Sequence, residues 1–291
     1  MKIEVLTPSG YCAGVASAME IAKKARLANP NDKIVVLGML VHNNDALKEL
    51  ESLSIDTIYK PGVSLIDLID EIEEDNIVIL TAHGHSKAVE EKLNKRGIRF
   101  IDATCPFVKN SFKEISGEIK KGHQVIYISK KNHPESNAAL SLGKDVVLVE
   151  LNKELDLSKI KDPNPMIISQ TTFSKYDVEK IVNKIKGKIP NARVNNGICH
   201  ASSDRQEALL NGDVSADLVY VVGGVNSNNT KTLFKMAKDH YVNSKVIAIE
   251  NELDIKEKDL IGLSHVIISS GASTPISVIN RIVKKIELLC N

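Results

Sequence analysis

The even spacing of three cysteines constrains this chain more than any other feature of its sequence. Cys12, Cys105 and Cys199 are separated by 93 residues (12 to 105) and 94 residues (105 to 199). An apolar, strand-like run precedes each cysteine, and a stretch with helical periodicity follows it. Because the same pattern recurs at domain-sized intervals, we interpret the chain as three equivalent units. Their thiolates can then meet at one metal centre.

Each unit also contains two further apolar runs that end in polar residues. The first set covers residues 34–37, 125–128 and 218–222, and the second covers residues 77–80, 166–168 and 266–268. Shorter runs at residues 146–149 and 246–249 lie between them. Short strands that alternate with helical stretches predict βαβ units and mostly parallel sheets. Ligands of such sheets bind at the carboxyl ends of the strands, where these polar residues lie.

Composition excludes several classes of protein. The formal net charge is +1, so neither a nucleic acid nor an acidic membrane is an expected partner. No apolar run reaches the roughly 18 to 20 residues of a membrane span, and the N-terminus shows no signal or transit pattern. Four cysteines in 291 residues do not resemble a disulfide framework. We therefore expect a cytoplasmic α/β enzyme with reduced thiols.

The spacing leaves open which metal the three thiolates bind. Helix N-terminal amides can face each sulfur and favour the thiolate. The absence of a C-x-x-C motif excludes zinc ribbons, thioredoxin motifs and ferredoxin-type cluster runs. Three thiolates on a 4Fe–4S cluster would leave one iron with an exchangeable position, and zinc on three cysteines is the alternative. Cys290 lies outside the repeat, and we expect it to bind no metal.

The polar residues that follow the strand-like runs form a candidate anion site. They are His42, His83 and His133, with Ser227, Asn228, Asn229 and Ser273 in the third unit. This set is rich in hydrogen-bond donors and poor in carboxylates, which suits a diphosphate. Serine and asparagine at a helix start are also ordinary N-caps, and the same helix end binds phosphate, so the two interpretations are compatible.

Glu135 is the carboxylate of interest among these residues. It stands two residues after His133, and we expect it in a loop at a strand end. A carboxyl group beside a metal-bound hydroxyl can donate the proton that turns hydroxide into leaving water. The alternative is a solvated loop glutamate.

A set of short motifs keeps its order along nearly the whole chain. The motifs are Tyr11-Cys12-Ala13-Gly14-Val15, Leu40-Val41-His42-Asn43, Ala82-His83-Gly84, Asp102-Ala103-Thr104-Cys105-Pro106, His133-Pro134-Glu135, Gln170-Thr171-Thr172, Ile198-Cys199, Arg205-Gln206-Glu207-Ala208, Asn226-Ser227-Asn228-Asn229 and Gly271-Ala272-Ser273. As an ordered set they resemble the 4-hydroxy-3-methylbut-2-enyl diphosphate reductase family of the non-mevalonate isoprenoid pathway. The chain departs from the family pattern at Asn228, where serine is usual, and at His200, where an aromatic residue is usual.

The resemblance implies a fold of three pseudo-threefold-related α/β domains with small, mostly parallel sheets. These would form a trefoil around a central 4Fe–4S cluster held by Cys12, Cys105 and Cys199. We expect the domains at residues 15–105, 106–198 and 199–291. The third would be completed by the N-terminal strand within residues 1–14.

The resemblance also implies an activity and a role for each site residue. The allylic substrate (E)-4-hydroxy-3-methylbut-2-enyl diphosphate would lose its hydroxyl group by reduction, giving isopentenyl and dimethylallyl diphosphates. Glu135 would donate the proton, and Thr171 would contact the substrate near its hydroxyl end. The residues that would hold the diphosphate are His42, His83, His133, Ser227, Asn228, Asn229 and Ser273. A ferredoxin or a flavodoxin would deliver the electrons.

Two other classes of function stay open at this point. An iron–sulfur hydro-lyase would use an open cluster iron on a small anionic hydroxy substrate without net redox chemistry. Its usual carboxylate substrate calls for arginines, and the polar residues that directly follow the strand-like runs include none. A non-enzymatic iron–sulfur sensor or electron carrier gains nothing from a donor-rich pocket.

Overall fold

The computed structural model describes residues 1–151, 153–195 and 197–290. By the density of contacts within the chain, the protein divides into two compact units. The first unit comprises Met1–Ala16, Val41–Ser52 and His200–Asn291, and the second comprises Ser17–Leu40 and Leu53–Cys199. The expected division into residues 15–105, 106–198 and 199–291 stays a prediction.

The described strands form three four-stranded sheets, and all their described pairings are parallel. In chain order the strands are β1 (Lys2–Val5), β2 (Ile34–Leu37), β3 (Ile55–Ile58), β4 (Ile77–Leu80), β5 (Arg99–Asp102), β6 (Val125–Ile128), β7 (Val146–Val149), β8 (Met166–Ser169), β9 (Arg193–Val194), β10 (Leu218–Val222), β11 (Lys245–Ile249) and β12 (His265–Ser270). The predicted fold class of small parallel sheets with helices is confirmed.

Helices connect the strands in all three sheets. In chain order they are α1 (Ala13–Ala28), α2 (Asn44–Ser52), α3 (Leu65–Leu68), α4 (Lys87–Lys95), α5 (Pro106–Lys120), α6 (Pro134–Leu140), α7 (Lys175–Lys188), α8 (His200–Leu210), α9 (Asn228–His240) and α10 (Ile276–Cys290). Short 3₁₀ turns cover Ile69–Glu71, Glu252–Asp254 and Glu257–Asp259. Within the described part of the chain, every helix is too short or too polar to cross a membrane.

The three sheets have equivalent strand orders. The first unit contains the order β11–β10–β12–β1, and the second contains β3–β2–β4–β5 and β7–β6–β8–β9. The strand that leads to a cysteine is therefore an edge strand in each sheet. In the first unit this strand is β1, which pairs with β12 in the register of Ile3 opposite Val266. The N-terminus thus completes a sheet built from the C-terminal third of the chain.

The sequence prediction did not include β3. Its apolar pattern is interrupted by Asp56 and Thr57, and only Ile55 is fully buried. Because β3 is an edge strand beside β2, polar side chains can remain at the surface without loss of burial. An edge strand carries a weaker apolar signal than a central one for this reason.

The central strands are buried on both faces, which explains their continuous apolar runs. In β10, Tyr220 packs on one face with Val278 of α10, and Val219 packs on the other with Leu233 of α9. Full burial of one such aliphatic side chain stabilises the fold by about 1.5–3 kcal/mol. Packing on both faces therefore fixes the carboxyl ends of these strands. The polar residues identified in the sequence follow those ends.

Candidate active site

The same backbone hydrogen bond holds each of the three predicted ligand cysteines. The amide N–H of Cys12 donates to the carbonyl oxygen of Ala272 (2.9 Å) in the first unit. In the second unit, Cys105 donates to Ala82 (3.0 Å) and Cys199 donates to Thr171 (3.1 Å). Each acceptor lies two residues beyond the end of its strand, in the equivalent strands β12, β4 and β8. The cysteine repeat in the sequence is therefore also a repeat of hydrogen bonding.

Each of these cysteines immediately precedes a helix. The helices are α1, α5 and α8, and the amide N–H of Val15 points at Sγ of Cys12 at 3.4 Å. Cys105 occupies the N-cap position of α5, with Pro106 at the first helical position. An unsatisfied amide at a helix N-terminus favours negative charge on a nearby sulfur. All three side chains are partly buried.

The donor set fits an iron–sulfur cluster. Thiolates are the ordinary ligands of such clusters, and they also suit zinc. Across residues 1–151, 153–195 and 197–290, no three histidine, cysteine or acidic side chains stand together as a metal site, so a shared centre on Cys12, Cys105 and Cys199 stays a prediction. Cys290 is exposed at the end of α10 and lacks the setting of the other three.

Glu135 lies in the interior, with 1% of its surface exposed. Its Oε1 accepts hydrogen bonds from the Tyr127 hydroxyl (2.8 Å) and the Thr171 amide (3.0 Å). Its Oε2 accepts one from the Thr171 hydroxyl (2.9 Å). Burial raises the pKa of the Glu135 carboxyl, and the bonds from Thr171 and Tyr127 partly oppose that rise. A carboxyl group in this setting can remain protonated above its usual range.

The expected loop position of Glu135 is wrong, and so is the alternative of a solvated glutamate. Glu135 is the second residue of α6. The helix begins early because His133 caps it and Pro134 takes the first position, where a missing N–H costs nothing. Asn132 enables the turn by adopting a left-handed conformation (φ 63°) that asparagine tolerates.

Thr171 joins the acid to a predicted metal ligand. Its amide and hydroxyl bind Glu135, and its carbonyl oxygen accepts the amide of Cys199. A single residue thus connects the two groups through hydrogen bonds.

His133 has a defined tautomer when neutral. Its Nδ1 accepts a hydrogen bond from the Glu135 amide (3.2 Å), so the neutral ring carries its proton on Nε2. That N–H is a donor suited to an anion. The ring of His83 meets the His133 ring edge-on at a centroid distance of 5.7 Å. The second unit thus brings His83 and His133 together, as the sequence predicts for a common site.

Gly84 fixes the backbone beside His83. Its φ is +85°, and a Cβ atom there would come within 2.7 Å of the Phe112 ring. Only glycine fits both constraints. The chain therefore turns sharply after His83 and places that histidine at the end of β4.

The N-terminus of α9 presents polar groups in the first unit. Ser227 caps this 13-residue helix by accepting the amide of Thr230 on its hydroxyl oxygen (3.2 Å). Its own hydroxyl proton remains available to an acceptor. Among the described residues, Nδ2 of the Asn228 side chain is buried without a hydrogen-bond partner. Both predicted roles of this segment, as a cap and as an anion-binding end, are compatible with the geometry.

His42 and Ser273 also meet in the first unit. The Ser273 hydroxyl donates to the backbone oxygen of His42 at 3.3 Å. Gly224 lies against the same backbone, and a Cβ atom at that position would come within 2.4 Å of the His42 oxygen. This close approach holds the His42 segment against the carboxyl ends of β10 and β12.

Asn229 is hydrogen-bonded within the protein and supports the loop after β12. Its Oδ1 accepts the amide of Ala272 (2.9 Å), and its Nδ2 donates to the Ser202 hydroxyl (3.3 Å). Ala272 in turn holds Cys12. The geometry favours a positioning role for Asn229, whereas the resemblance implied a direct contact with the diphosphate. That contact stays a prediction.

Sequence reasoning missed Tyr127 and the support given by Arg205. Tyr127 stood in an apolar run, and only the packing reveals that its hydroxyl binds Glu135. Burial and the neighbouring Glu135 raise the pKa of Tyr127, so the phenol stays protonated and donates. Arg205 donates to the Gly10 backbone oxygen at 2.7 Å, just before Cys12. Its place in the Arg205–Ala208 motif was the available signal.

The predicted site residues fall into two groups. The first unit contains Cys12, His42, Ser227, Asn228, Asn229 and Ser273. The second unit contains His83, Cys105, His133, Glu135, Thr171 and Cys199. Within each unit these residues follow the carboxyl ends of parallel strands, as the sequence predicts.

Two curated relatives with similar sequences carry the same description. The 4-hydroxy-3-methylbut-2-enyl diphosphate reductase of Malacoplasma penetrans is 35% identical over 293 residues, which cover 99% of this chain and 97% of that protein. The protein of the same description from Bacillus cereus strain AH187 is 36% identical over 289 residues, covering 99% and 90% respectively.

Solved structures match the fold. The E-1-hydroxy-2-methyl-but-2-enyl-4-diphosphate reductase of Plasmodium falciparum has a TM-score of 0.86 and 27% identity, covering 100% of this chain and 88% of that chain. A second solved structure, of (E)-4-hydroxy-3-methyl-but-2-enyl diphosphate reductase, has a TM-score of 0.68 and 29% identity, covering 99% and 100%. The family model described as LytB protein matches residues 3–287. This chain therefore belongs to the LytB protein family.

Proposed function

We propose that this chain reduces (E)-4-hydroxy-3-methylbut-2-enyl diphosphate to isopentenyl and dimethylallyl diphosphates. Relatives that align over almost the whole chain are reductases of this substrate. The observation that carries the proposal is the buried connection from Glu135 through Thr171 to Cys199. It joins a proton-donating group to a thiol, and this reaction needs both a proton and a thiolate-bound redox centre.

Cys12, Cys105 and Cys199 are the residues that would hold a 4Fe–4S cluster. Their equivalent hydrogen bonds and their positions before helices support this assignment. When bound, such a cluster supplies electrons and, with three protein ligands, an open Lewis-acidic iron. The exposed Cys290 takes no part.

Six of the predicted polar residues would bind the diphosphate. They are His42, His83, His133, Ser227, Asn228 and Ser273. The His133 Nε2–H and the unpaired amide of Asn228 are the donors for which the geometry gives the best support. Asn229 would act by holding the Ala272 loop in place.

Glu135 would deliver the proton that allows the hydroxyl group to leave as water. Burial raises the pKa of its carboxyl, which favours the protonated acid that this step needs. The Thr171 hydroxyl, 2.9 Å from Oε2, would orient the acid and contact the substrate near its hydroxyl end. Overall the substrate takes up two electrons and two protons, loses its C–O bond, gains a C–H bond and releases water.

The electron donor and the location of the protein belong to the same proposal. A ferredoxin or a flavodoxin would supply electrons one at a time. A cytoplasmic location would keep the thiols reduced before the cluster is assembled.

An anaerobic steady-state assay tests the proposal. Cluster-reconstituted protein is given the allylic hydroxy-diphosphate and a low-potential chemical reductant. We expect two electrons to be consumed for each substrate molecule, with both isoprenyl diphosphates among the products. Conversion without consumption of reductant would point to a hydro-lyase. Absence of any conversion by cluster-loaded protein would overturn the proposal.

A further inference from the structure

A broad groove in the second unit contains none of the predicted site residues. It has a volume of about 740 Å³ and is lined by residues from the loop after β4, from the end of β5 and from helices α4 and α5. Its lining residues are His85, Lys87, Glu90, Asp102, Thr104, Lys109, Phe112, Lys113, Ser116, Gly117 and Lys120. We call it the α5 groove.

The α5 groove carries an excess of positive charge. Four lysines line it against two carboxylates, in a chain whose net charge is only +1. Both carboxylates are already paired, Glu90 with His85 (2.8 Å) and Asp102 with Lys109 (2.7 Å).

The other three lysines of the groove are free to meet an outside partner. Lys87, Lys113 and Lys120 are exposed, and no ion pair joins them to another described residue. Their charges therefore face solvent.

The basic residues of α5 form one stripe along the helix. Lys113 follows Lys109 by four residues, and Lys120 follows Lys113 by seven, so the three share a face. Ser116 and Gly117 lie between the last two lysines and are too small to block the groove. A protein surface with projecting carboxylates can approach such a face closely.

The stripe begins at a predicted cluster ligand. Thr104 lines the groove and directly precedes Cys105, and Lys109 is one helical turn beyond it. The helices that follow the other two cysteines differ. Helix α8 contains no lysine, and the lysines of α1 begin only at Lys23. The basic stripe therefore distinguishes Cys105 among three otherwise equivalent positions.

We propose that the α5 groove docks a small acidic protein that carries one electron at a time, and that electrons enter through the Cys105 side. This inference rests on the proposed function. Each docked carrier is oxidised by one electron, so two successive encounters supply the pair that, with two protons, converts the allylic hydroxy-diphosphate to an isoprenyl diphosphate and water. Charge complementarity argues for this partner, because exposed lysines steer an acidic protein to the surface.

Charge reversal tests the proposal. The double variant Lys113→Glu/Lys120→Glu is compared with Lys184→Glu/Lys188→Glu, which makes the same change of charge at exposed positions of α7. The acidic carrier, a ferredoxin or a flavodoxin, is titrated into cluster-loaded protein to measure binding, and it is then used as the electron source. Turnover with a saturating small chemical reductant is measured in parallel.

We expect the groove variant to lower kcat/KM for the carrier by about tenfold or more at low ionic strength, with binding weakened in proportion. Added salt should reduce the difference, because exposed charges are screened. Turnover with the small reductant should not change. An equal loss in the α7 variant, or none in the groove variant, would overturn the proposal. If the unaltered protein gives no turnover with the small reductant, the proposed function fails, and the binding titration still decides the role of the groove.

Discussion

The ends of β8 and β12 share one backbone arrangement but differ in side-chain chemistry. After β8, Thr171 accepts the amide of Cys199 and is held by the buried carboxyl of Glu135. After β12, Ala272 accepts the amide of Cys12 and is held by the carboxamide of Asn229. The same backbone hydrogen bond is supported by an acid in one unit and by a neutral amide in the other.

The comparison teaches how a repeated fold acquires different chemistry at equivalent positions. Burial disfavours the charged form of a titratable group, so it raises the pKa of Glu135 and prepares that residue to hold a proton. The same burial leaves Asn229 neutral, because an amide does not titrate. The carboxyl that holds the end of β8 can therefore donate a proton, whereas the amide that holds the end of β12 can only offer hydrogen bonds that do not vary with pH.

The largest expected effect concerns the three cysteines, which share the same backbone hydrogen bond. Replacing Cys12, Cys105 or Cys199 with serine should abolish or cripple cluster assembly, because each supplies one thiolate. Iron and sulfide analysis of anaerobically reconstituted protein measures this, with about four of each per chain in the unaltered protein. Cys290→Ser is the control and should assemble normally. Equal loss in the control would contradict the assignment of three cysteine ligands. Stoichiometric zinc in place of iron would contradict the cluster itself.

The next effect tests the acid that distinguishes β8. Glu135→Gln keeps the size and most hydrogen-bonding capacity of the side chain but removes its proton, so kcat should fall by about 10²- to 10⁴-fold. Iron content and substrate binding should be retained, which a substrate-induced change in the paramagnetic resonance spectrum can report. Turnover at the rate of the unaltered protein would remove Glu135 as the donor and leave His133 as the better candidate.

A smaller loss is expected from the histidines that serve the diphosphate. His42→Ala or His83→Ala should each raise KM by about 10- to 150-fold, the cost of a charge-assisted hydrogen bond of about 1.5–3 kcal/mol. Inhibition by inorganic diphosphate gives an independent measure of the same contact. His240→Ala, at the opposite end of α9 from Ser227, is the matched control and should leave KM unchanged.

Variants of two adjacent asparagines distinguish a residue that supports a loop, Asn229, from one proposed to bind the anion, Asn228. Asn229→Ala should lower the free energy of unfolding by about 1–3 kcal/mol, because it leaves the Ala272 amide without its buried acceptor. Asn228→Ala should change it by no more than about 0.5 kcal/mol, because Nδ2 of Asn228 has no partner among the described residues. Denaturant titration measures both values. The opposite ranking would show that Asn229 does not hold the loop.

The smallest effect sharpens the role of the tyrosine beneath the acid. Tyr127→Phe removes a hydrogen bond that lowers the pKa of Glu135, so that pKa should rise further. The alkaline limb of the kcat profile should then move to higher pH, at a cost of about 0.5–1.5 kcal/mol in the free energy of unfolding. A shift to lower pH, or none, would contradict the assignment of Glu135 as the acid.

The raised pKa of Glu135 also makes the free energy of unfolding depend on pH. The pKa of Glu135 is raised above 4.5 in the folded state. Its contribution to the free energy of unfolding is therefore fully present below pH 4.5 and is lost as the pH rises through the folded-state pKa. In Tyr127→Phe the loss should extend to higher pH. Glu135→Gln should lack this dependence altogether. Denaturant titrations across the pH range measure each slope.

The sequence by itself determined the repeat and most of the strands, and it supplied the candidate site residues. Residues 34–37, 77–80 and 125–128 were predicted as strands from apolar runs, and these are the bounds of β2, β4 and β6. The helix after each cysteine and the cap at Ser227 could also be predicted, because capping and periodicity depend on neighbouring residues. The ordered motifs placed the chain in its family.

Only the tertiary structure determined which groups form hydrogen bonds with one another. The Thr171 amide and Glu135 are 36 residues apart, and the Ala272 amide and the Asn229 side chain are 43 apart. The packing of strands and helices brings such pairs together, and no local pattern encodes it. The sequence predicted Glu135 in a loop, whereas the structure buries it. Its burial likewise depends on every element packed around it. The α5 groove exists for the same reason, since α4 and α5 meet only in the folded protein.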